Sequence, residues 1–121
     1  MKNDVHKRYI LRFNQKNSDS VYSFQMLRAS RKKIETRAAT KRYKTIAVGD
    51  TLLFVCGNRK LERIVKNATV FKTIKSMLQT YRVKDIMPDR STQKELEETY
   101  YGYAGYREKL KKNGIIALEL E

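Results

Sequence analysis

The 121-residue chain has no tryptophan, one cysteine, one proline and one histidine. Cys56 alone cannot close an internal disulfide or build a cysteine-rich zinc site. With His6 as the only imidazole, a histidine-based catalytic triad is not expected, and a metal site would have to rest on carboxylates alone. No metal and no cofactor are expected, and most classical hydrolases fall away. No apolar run approaches the roughly 20 residues that cross a bilayer. Residues Met1 to His6 lack the apolar stretch of a signal peptide. A cytoplasmic protein without a membrane partner is expected, or a nuclear one if the source is eukaryotic. The other scarcity is acid: 13 Asp plus Glu face 27 Lys plus Arg, for a formal charge of +14.

That excess is uneven. Residues 1–50 carry +9, residues 51–90 carry +6 and residues 91–121 carry −1. Such a field attracts a polyanion, and counterion release from nucleic acid supplies affinity without sequence preference. An anionic membrane fits less well, because no basic helix has an adequate apolar face. The length fits one domain, with residues 1–7 expected as a loose terminus, and 40% hydrophobic residues suffice for one modest core. A monomer is expected.

Alternation through Tyr9, Leu11 and Phe13 predicts a first strand, and the polar stretch 14–20 a loop. Val21, Phe24, Met26 and Leu27 predict a short helix over 21–29. A strand with charged groups on one face is predicted over 32–38. Gly49-Asp50 is a turn, and the continuous apolar run Thr51 to Cys56 reads as a buried strand. A hairpin through Gly57-Asn-Arg-Lys60 joins it to a strand over 61–71. Ile74, Met77, Leu78 and Tyr81 share a helical face, predicting a helix over 72–82. Thr92 and Glu95 are spaced as a capping box. Behind them a stripe of Leu96, Tyr100, Tyr103, Tyr106 and Leu110 is interrupted by Gly102 and Gly105 and stopped at Asn113-Gly114. Ile115 to Leu120 is a last strand. Strands without regular crossover helices predict an α+β fold, a small barrel of about five to six strands with two to three flanking helices.

The densest chemistry lies at Ser30-Arg-Lys-Lys-Ile-Glu-Thr-Arg37. Strand alternation places Lys33, Glu35 and Arg37 on one face, and Lys32, Ile34 and Thr36 on the other. A lysine on the inward face can have a lowered pKa and act as base or nucleophile. From spacing alone, solvated charges in cross-strand pairs are the better account. Around this segment, Arg28, Arg31, Lys32, Lys33, Arg37, Lys41, Arg42 and Lys44 put eight cations within residues 28–44, with Tyr43 among them. Cations interleaved with an aromatic are what a single-stranded RNA track needs.

Order along the chain shifts the weighting toward function. The Lys32-Lys-Ile-Glu-Thr-Arg37 segment is followed by Val48-Gly-Asp-Thr-Leu-Leu-Phe54, Val65 to Phe71 with Met77-Leu78, and Ile86-Met-Pro88. Ser91 with Glu95, Tyr100 to Tyr106, and Gly114-Ile-Ile-Ala-Leu118 complete it. From about Phe24 to Leu120 this order resembles the ASCH family, the domain related to a human transcription coactivator. The resemblance implies a PUA-like β-barrel with flanking helices and a cleft lined by a Lys-Thr-Ile-Glu-like strand. It also implies binding of RNA or nucleotides. Some small bacterial members are amidohydrolases acting on N-acetylated cytidine, or ribonucleases. The family's lysine matches Lys32, its glutamate Glu35, its arginine Arg37, and its Gly-Asp pair Gly49 and Asp50. The sequence departs from the pattern where Ser30 replaces the opening glycine and Lys33 the threonine after the lysine. Glu35 stands where amidohydrolase members carry a further threonine. The second lysine suits a phosphate or carboxylate ligand.

Two functions follow as expectations. The first is an RNA-preferring nucleic-acid module whose ligand cleft uses Lys32, Lys33, Glu35 and Arg37. Arg28, Arg31, Lys41, Arg42, Tyr43 and Lys44 extend it as a phosphate track. Glu35 would accept from a base amino group, and Arg37 would contact phosphate or hold Glu35. The rival is a cofactor-free hydrolase with Lys32 as base or nucleophile and Glu35 as its partner. A third reading gives the charge to a protein partner. Packing is the better account of Tyr100 and Tyr103, while Tyr101 and Tyr106 are left open. Cys56 reads as a buried small hydrophobe. Asp85, Asp89 and the acids at 95–98 match no calcium loop and read as a solvated helix start.

Overall fold

In the computed structural model, residues 5–121 are described. The first four residues of the expected loose terminus therefore lie outside the described part. Lys7 is already tied down: its amide donates to Asp50 Oδ1 at 2.8 Å and its carbonyl accepts from Thr51. The chain runs β1 (Arg8–Phe13), α1 (Ser18–Arg28), β2 (Ile34–Ala38), β3 (Thr51–Cys56) and β4 (Arg59–Phe71). It continues through α2 (Ile74–Met77), α3 (Val83–Ile86), α4 (Gln93–Tyr101), α5 (Tyr106–Asn113) and β5 (Ile115–Leu120).

One five-stranded sheet has the order β1-β3-β4-β5-β2. The β3–β4 hairpin turns on Gly57 and Asn58, since Cys56 pairs with Arg59. Gly57, at φ 62°, takes the first turn position that favours glycine. β4 serves two neighbours: Arg59 to Ile64 pairs with β3, and Val65 to Phe71 with β5. A register shift between Val65 and Asn67 bends the strand there. β1 lies parallel to β3, and β2 antiparallel to β5.

β1 and β2 are the two edges of the curled sheet, and arginines link them where strand pairing does not. Arg37 Nη2 donates to the Arg12 carbonyl at 3.4 Å, and Arg42 Nη2 to the Ile10 carbonyl at 3.0 Å. Side chains that take the carbonyls of an edge strand also block further strand pairing there.

Apolar residues collect on both faces. Leu11, Phe24, Leu27, Leu52, Phe54, Val65, Ile116 and Leu118 fill one side, around α1. Ile34, Ile74, Met77, Ile86, Leu96, Tyr100, Leu110, Ile115 and Ala117 bury the other side beneath α2–α5. Successive β5 residues enter opposite cores, which is why Ile115–Leu118 reads as an unbroken apolar run. The result is a mixed α+β half-barrel, a small PUA-like barrel with flanking helices.

Several boundaries differ from expectation. α1 starts at Ser18, inside the predicted loop, because Asn17 caps it by accepting from the Ser20 amide at 2.9 Å. The helix predicted over 72–82 is only the four-residue α2. Beyond it Tyr81 packs edge-to-face on Phe71 and its hydroxyl donates to Glu119, drawing the chain back to the sheet. The separate turn α3 was not foreseen. The Thr92–Glu95 capping box is present, but the stripe behind it is two helices. Gly105, at φ 71°, makes the break between them. Among the described residues, five short helices thus flank the sheet where two to three are expected.

Candidate functional site

The site begins at a turn. Ser30 takes a left-handed conformation, φ 59°, so serine keeps here the geometry that a glycine would adopt more easily. The Arg31 and Lys32 amides then both donate to the Met26 carbonyl, at 2.9 and 3.1 Å. Lys32 consequently precedes the strand, which starts at Ile34 and not at residue 32. Strand alternation does not extend back to it, and the expected sharing of a face between Lys32 and Ile34 is replaced by a pairing with Glu35.

Lys32 and Glu35 are each only 4% exposed. Lys32 Nζ donates to the Ile86 carbonyl, at the end of α3, and lies 3.4 Å from Glu35 Oε1. Arg37 Nε donates to the other carboxylate oxygen, Glu35 Oε2, at 3.0 Å. One buried carboxylate therefore lies between two cations, and the free edge of the sheet runs along them. Burial pushes the Lys32 ammonium below the ordinary lysine range, with Glu35 opposing only part of that effect. Arg37 goes the other way: burial would lower it, but Glu35, with Tyr43 and Tyr106, together more than compensate.

These groups line a cavity of about 190 Å³ at the β1–β2 gap, with walls from α1, Met87 and three tyrosines. Tyr100 is buried and its hydroxyl bonds Thr36 Oγ1; burial raises its pKa. Tyr106 accepts from the Ala38 amide at 2.7 Å, satisfying a backbone donor of β2. Tyr103 meets Tyr106 edge-to-face at 5.7 Å, and burial, with Asp19 and Glu35 nearby, pushes it up to about 12. At neutral pH such phenols carry their protons and remain donors. Opposite them, the Arg37 guanidinium lies 5.1 Å from the Phe13 ring centre and 5.7 Å from that of Tyr43. Among the described residues no buried side-chain nitrogen or oxygen lacks a hydrogen-bond partner. Nor, among them, does any group of three or more His, Cys, Asp or Glu assemble to hold a metal ion.

The structure brings Lys32, Glu35 and Arg37 together, but not Lys33. Its side chain is exposed, with its amide on the Asp85 carbonyl and its own carbonyl taken by Leu120. Lys33 lines a different recess of about 180 Å³, with Arg63 and the far side of Lys32. Tyr43 is half-buried and carries Arg42 over its ring at 5.3 Å, so these two reach the cavity rim through Arg37. Arg28, Arg31, Lys41 and Lys44 are exposed and do not line the cavity. Arg12, Phe13, Thr36, Tyr103 and Tyr106 do, although none is among the expected site residues; Tyr103 is expected to pack and Tyr106 is left open. The alternation of β1 hinted at Phe13 but not at Arg12. Tyr101 faces elsewhere, under Arg107 at 4.1 Å. There Lys72, Lys75, Arg107 and Lys111 line a second groove of about 390 Å³ together with Glu97 and Glu108, so part of the excess charge lies away from the cavity.

No protein-family model and no curated protein matches the chain. Solved structures do. The crystal structure of hypothetical protein PH0355 superposes with a TM-score of 0.73 at 26% identity, over 97% of this chain and 98% of that one. The solution NMR structure of protein PF0455 from Pyrococcus furiosus gives 0.65 at 26% identity, over 97% and 96%.

Proposed function

We propose that the chain is an ASCH-type module that binds nucleic acid, RNA in preference to DNA, with one base entering the cavity at the β1–β2 gap. The observation that carries this reading is the buried Lys32–Glu35 pair, with half-buried Arg37, beside a ring-walled cavity of about 190 Å³. That volume is below the roughly 300–1,000 Å³ of pockets for drug-sized ligands, so it suits one planar ring and not a strand. Phe13, Tyr103 and Tyr106 provide stacking surface, worth about 1–3 kcal/mol per base. Each Glu35 oxygen retains a lone pair for a base amino group, and the tyrosine hydroxyls can donate to base carbonyls. Arg12, Arg37 and Arg42 would meet the phosphate, and the order of motifs shared with the ASCH family supports the same reading.

The test is affinity for a short single-stranded RNA as a function of salt. Binding should weaken steeply between low and physiological salt. Arg12→Gln with Arg42→Gln should weaken it further and flatten the slope. Salt-independent affinity would sink the proposal.

One observation favours the hydrolase reading: burial lowers the proton affinity of Lys32, as a general base or nucleophile requires. The same fold would then turn over an acetylated cytidine or RNA, and Lys32→Ala would abolish turnover. Activity that survives this substitution rules the assignment out.

A further inference from the structure

Ser23, Met87 and Tyr103, which wall the cavity, also line a narrow neck of only about 10 Å³ toward Asp19, Asp89 and Arg90. That neck in turn shares Asp19, Asp89, Arg90, Thr99 and Tyr103 with an open groove of about 520 Å³. The two ends have opposite charge. At the β1–β2 end, Arg12, Lys32 and Arg37 face one carboxylate, Glu35. In the open groove Asp19, Asp89, Glu95 and Glu98 face one cation, Arg90. Arg90 is already engaged, 2.6 Å from Asp89 and 4.0 Å from Asp19. Tyr103 stands at the boundary, and its hydroxyl feels both Asp19 and Glu35.

A phosphodiester strand running through a base-binding cavity needs a path for phosphates on both sides. Here one side offers arginines and the other a groove lined by four carboxylates, and exposed charges act over a Debye length of about 8–10 Å. Like-charge opposition of this kind is how binding surfaces reject alternatives.

We infer that the cavity accepts the terminal nucleotide of an RNA strand and excludes an internal one, the chain leaving over Arg12, Arg37 and Arg42 while the acidic groove refuses a continuing backbone. This rests on the RNA reading and adds which part of the strand is held. It also gives a role to Asp19, Asp89 and Glu98, which otherwise would only solvate helix ends.

The experiment compares a linear single-stranded RNA with a covalently closed circle of the same sequence, both binding the full chain at one salt concentration. The linear form should bind at least ten-fold more tightly. In an Asp19→Asn, Glu98→Gln variant, whose folding is checked by its unfolding transition, the circle should gain several-fold and the linear form little. Equal binding of the two forms by the natural chain would overturn the inference and leave RNA binding intact. So would a gap that the variant does not narrow. Failure of both RNAs to bind would remove the RNA reading, and the inference with it.

Discussion

Replacing Glu35 by glutamine keeps the shape of the side chain and removes its charge. The carboxylate is 3.4 Å from Lys32 Nζ and 3.0 Å from Arg37 Nε, and the Lys32 and Glu35 side chains are 3% and 5% exposed. Removing one partner of a buried ion pair strands the other and costs about 3–5 kcal/mol. The low end applies, because the Arg37 side chain is 19% exposed and also reaches the Arg12 carbonyl. Lys32→Met should cost less, about 1–3 kcal/mol, because Glu35 keeps Arg37 and only the Ile86 carbonyl loses its donor. The double variant no longer buries an unpaired ammonium, so its cost should fall short of the sum by about 1–2 kcal/mol. Urea unfolding at neutral pH measures all three, with an unchanged m-value as the check on two-state behaviour. For Glu35→Gln a loss of about 3 kcal/mol corresponds to a fall of roughly 10 °C in Tm. A Glu35→Gln penalty under about 1 kcal/mol, or strict additivity in the double variant, would refute the buried charge cluster described here.

Two turn positions should respond in opposite ways. Gly114→Ala should destabilise by about 1–3 kcal/mol, because φ is 76° and the new Cβ would lie 2.4 Å from the Phe71 carbonyl oxygen. Ser30→Gly should be neutral or stabilising by up to about 1 kcal/mol, since glycine relieves the left-handed strain at φ 59°; denaturant midpoints distinguish the two. Above pH 10 the natural chain should lose stability through Tyr100. Burial raises its folded-state pKa above the ordinary 10.0, so the unfolded chain gives up its proton first and the contribution, complete below pH 10, declines as pH rises. Lys32 acts in the opposite sense, its folded pKa being lowered, so that it adds stability as pH approaches 10.5 from below. Tyr100→Phe should therefore flatten the alkaline decline in a series of unfolding curves, and an unchanged slope would show that Tyr100 does not cause it.

Much of the framework was legible because local signals agree with the fold. The β3–β4 hairpin shows in an apolar run followed by Gly57-Asn58, and the α4 start shows in its capping box. Burial of β5 on both faces follows from four consecutive apolar residues. Helix lengths were less legible. Ile74 to Tyr81 has helical periodicity, yet contacts of Tyr81 with Phe71 and Glu119, distant in sequence, decide where the chain leaves the helix. Lys32, Glu35 and Arg37 were visible as a motif. The assumption that strand alternation extends to Lys32 failed because a left-handed residue and two amides on one carbonyl precede the strand.

By itself the sequence determined the basic charge, the presence of a single histidine, the mixed α+β class and the segment that carries the buried lysine and carboxylate. These depend on composition and on short-range periodicity, which a linear chain displays directly. Tertiary structure alone decided what surrounds that segment. It placed α3 so that its last carbonyl holds Lys32 and turned Lys33 to the outside. The Gly105 break let Tyr106 reach the edge of β2, and Phe13 was set against Arg37 across an unpaired gap between strands. It also laid an acidic groove against the basic cavity by bringing α1 beside α4. The physical reason is the same in each case. Burial, ion pairing and cavity shape depend on which distant residues become neighbours, and no periodicity along the chain encodes the distance between β1 and β2.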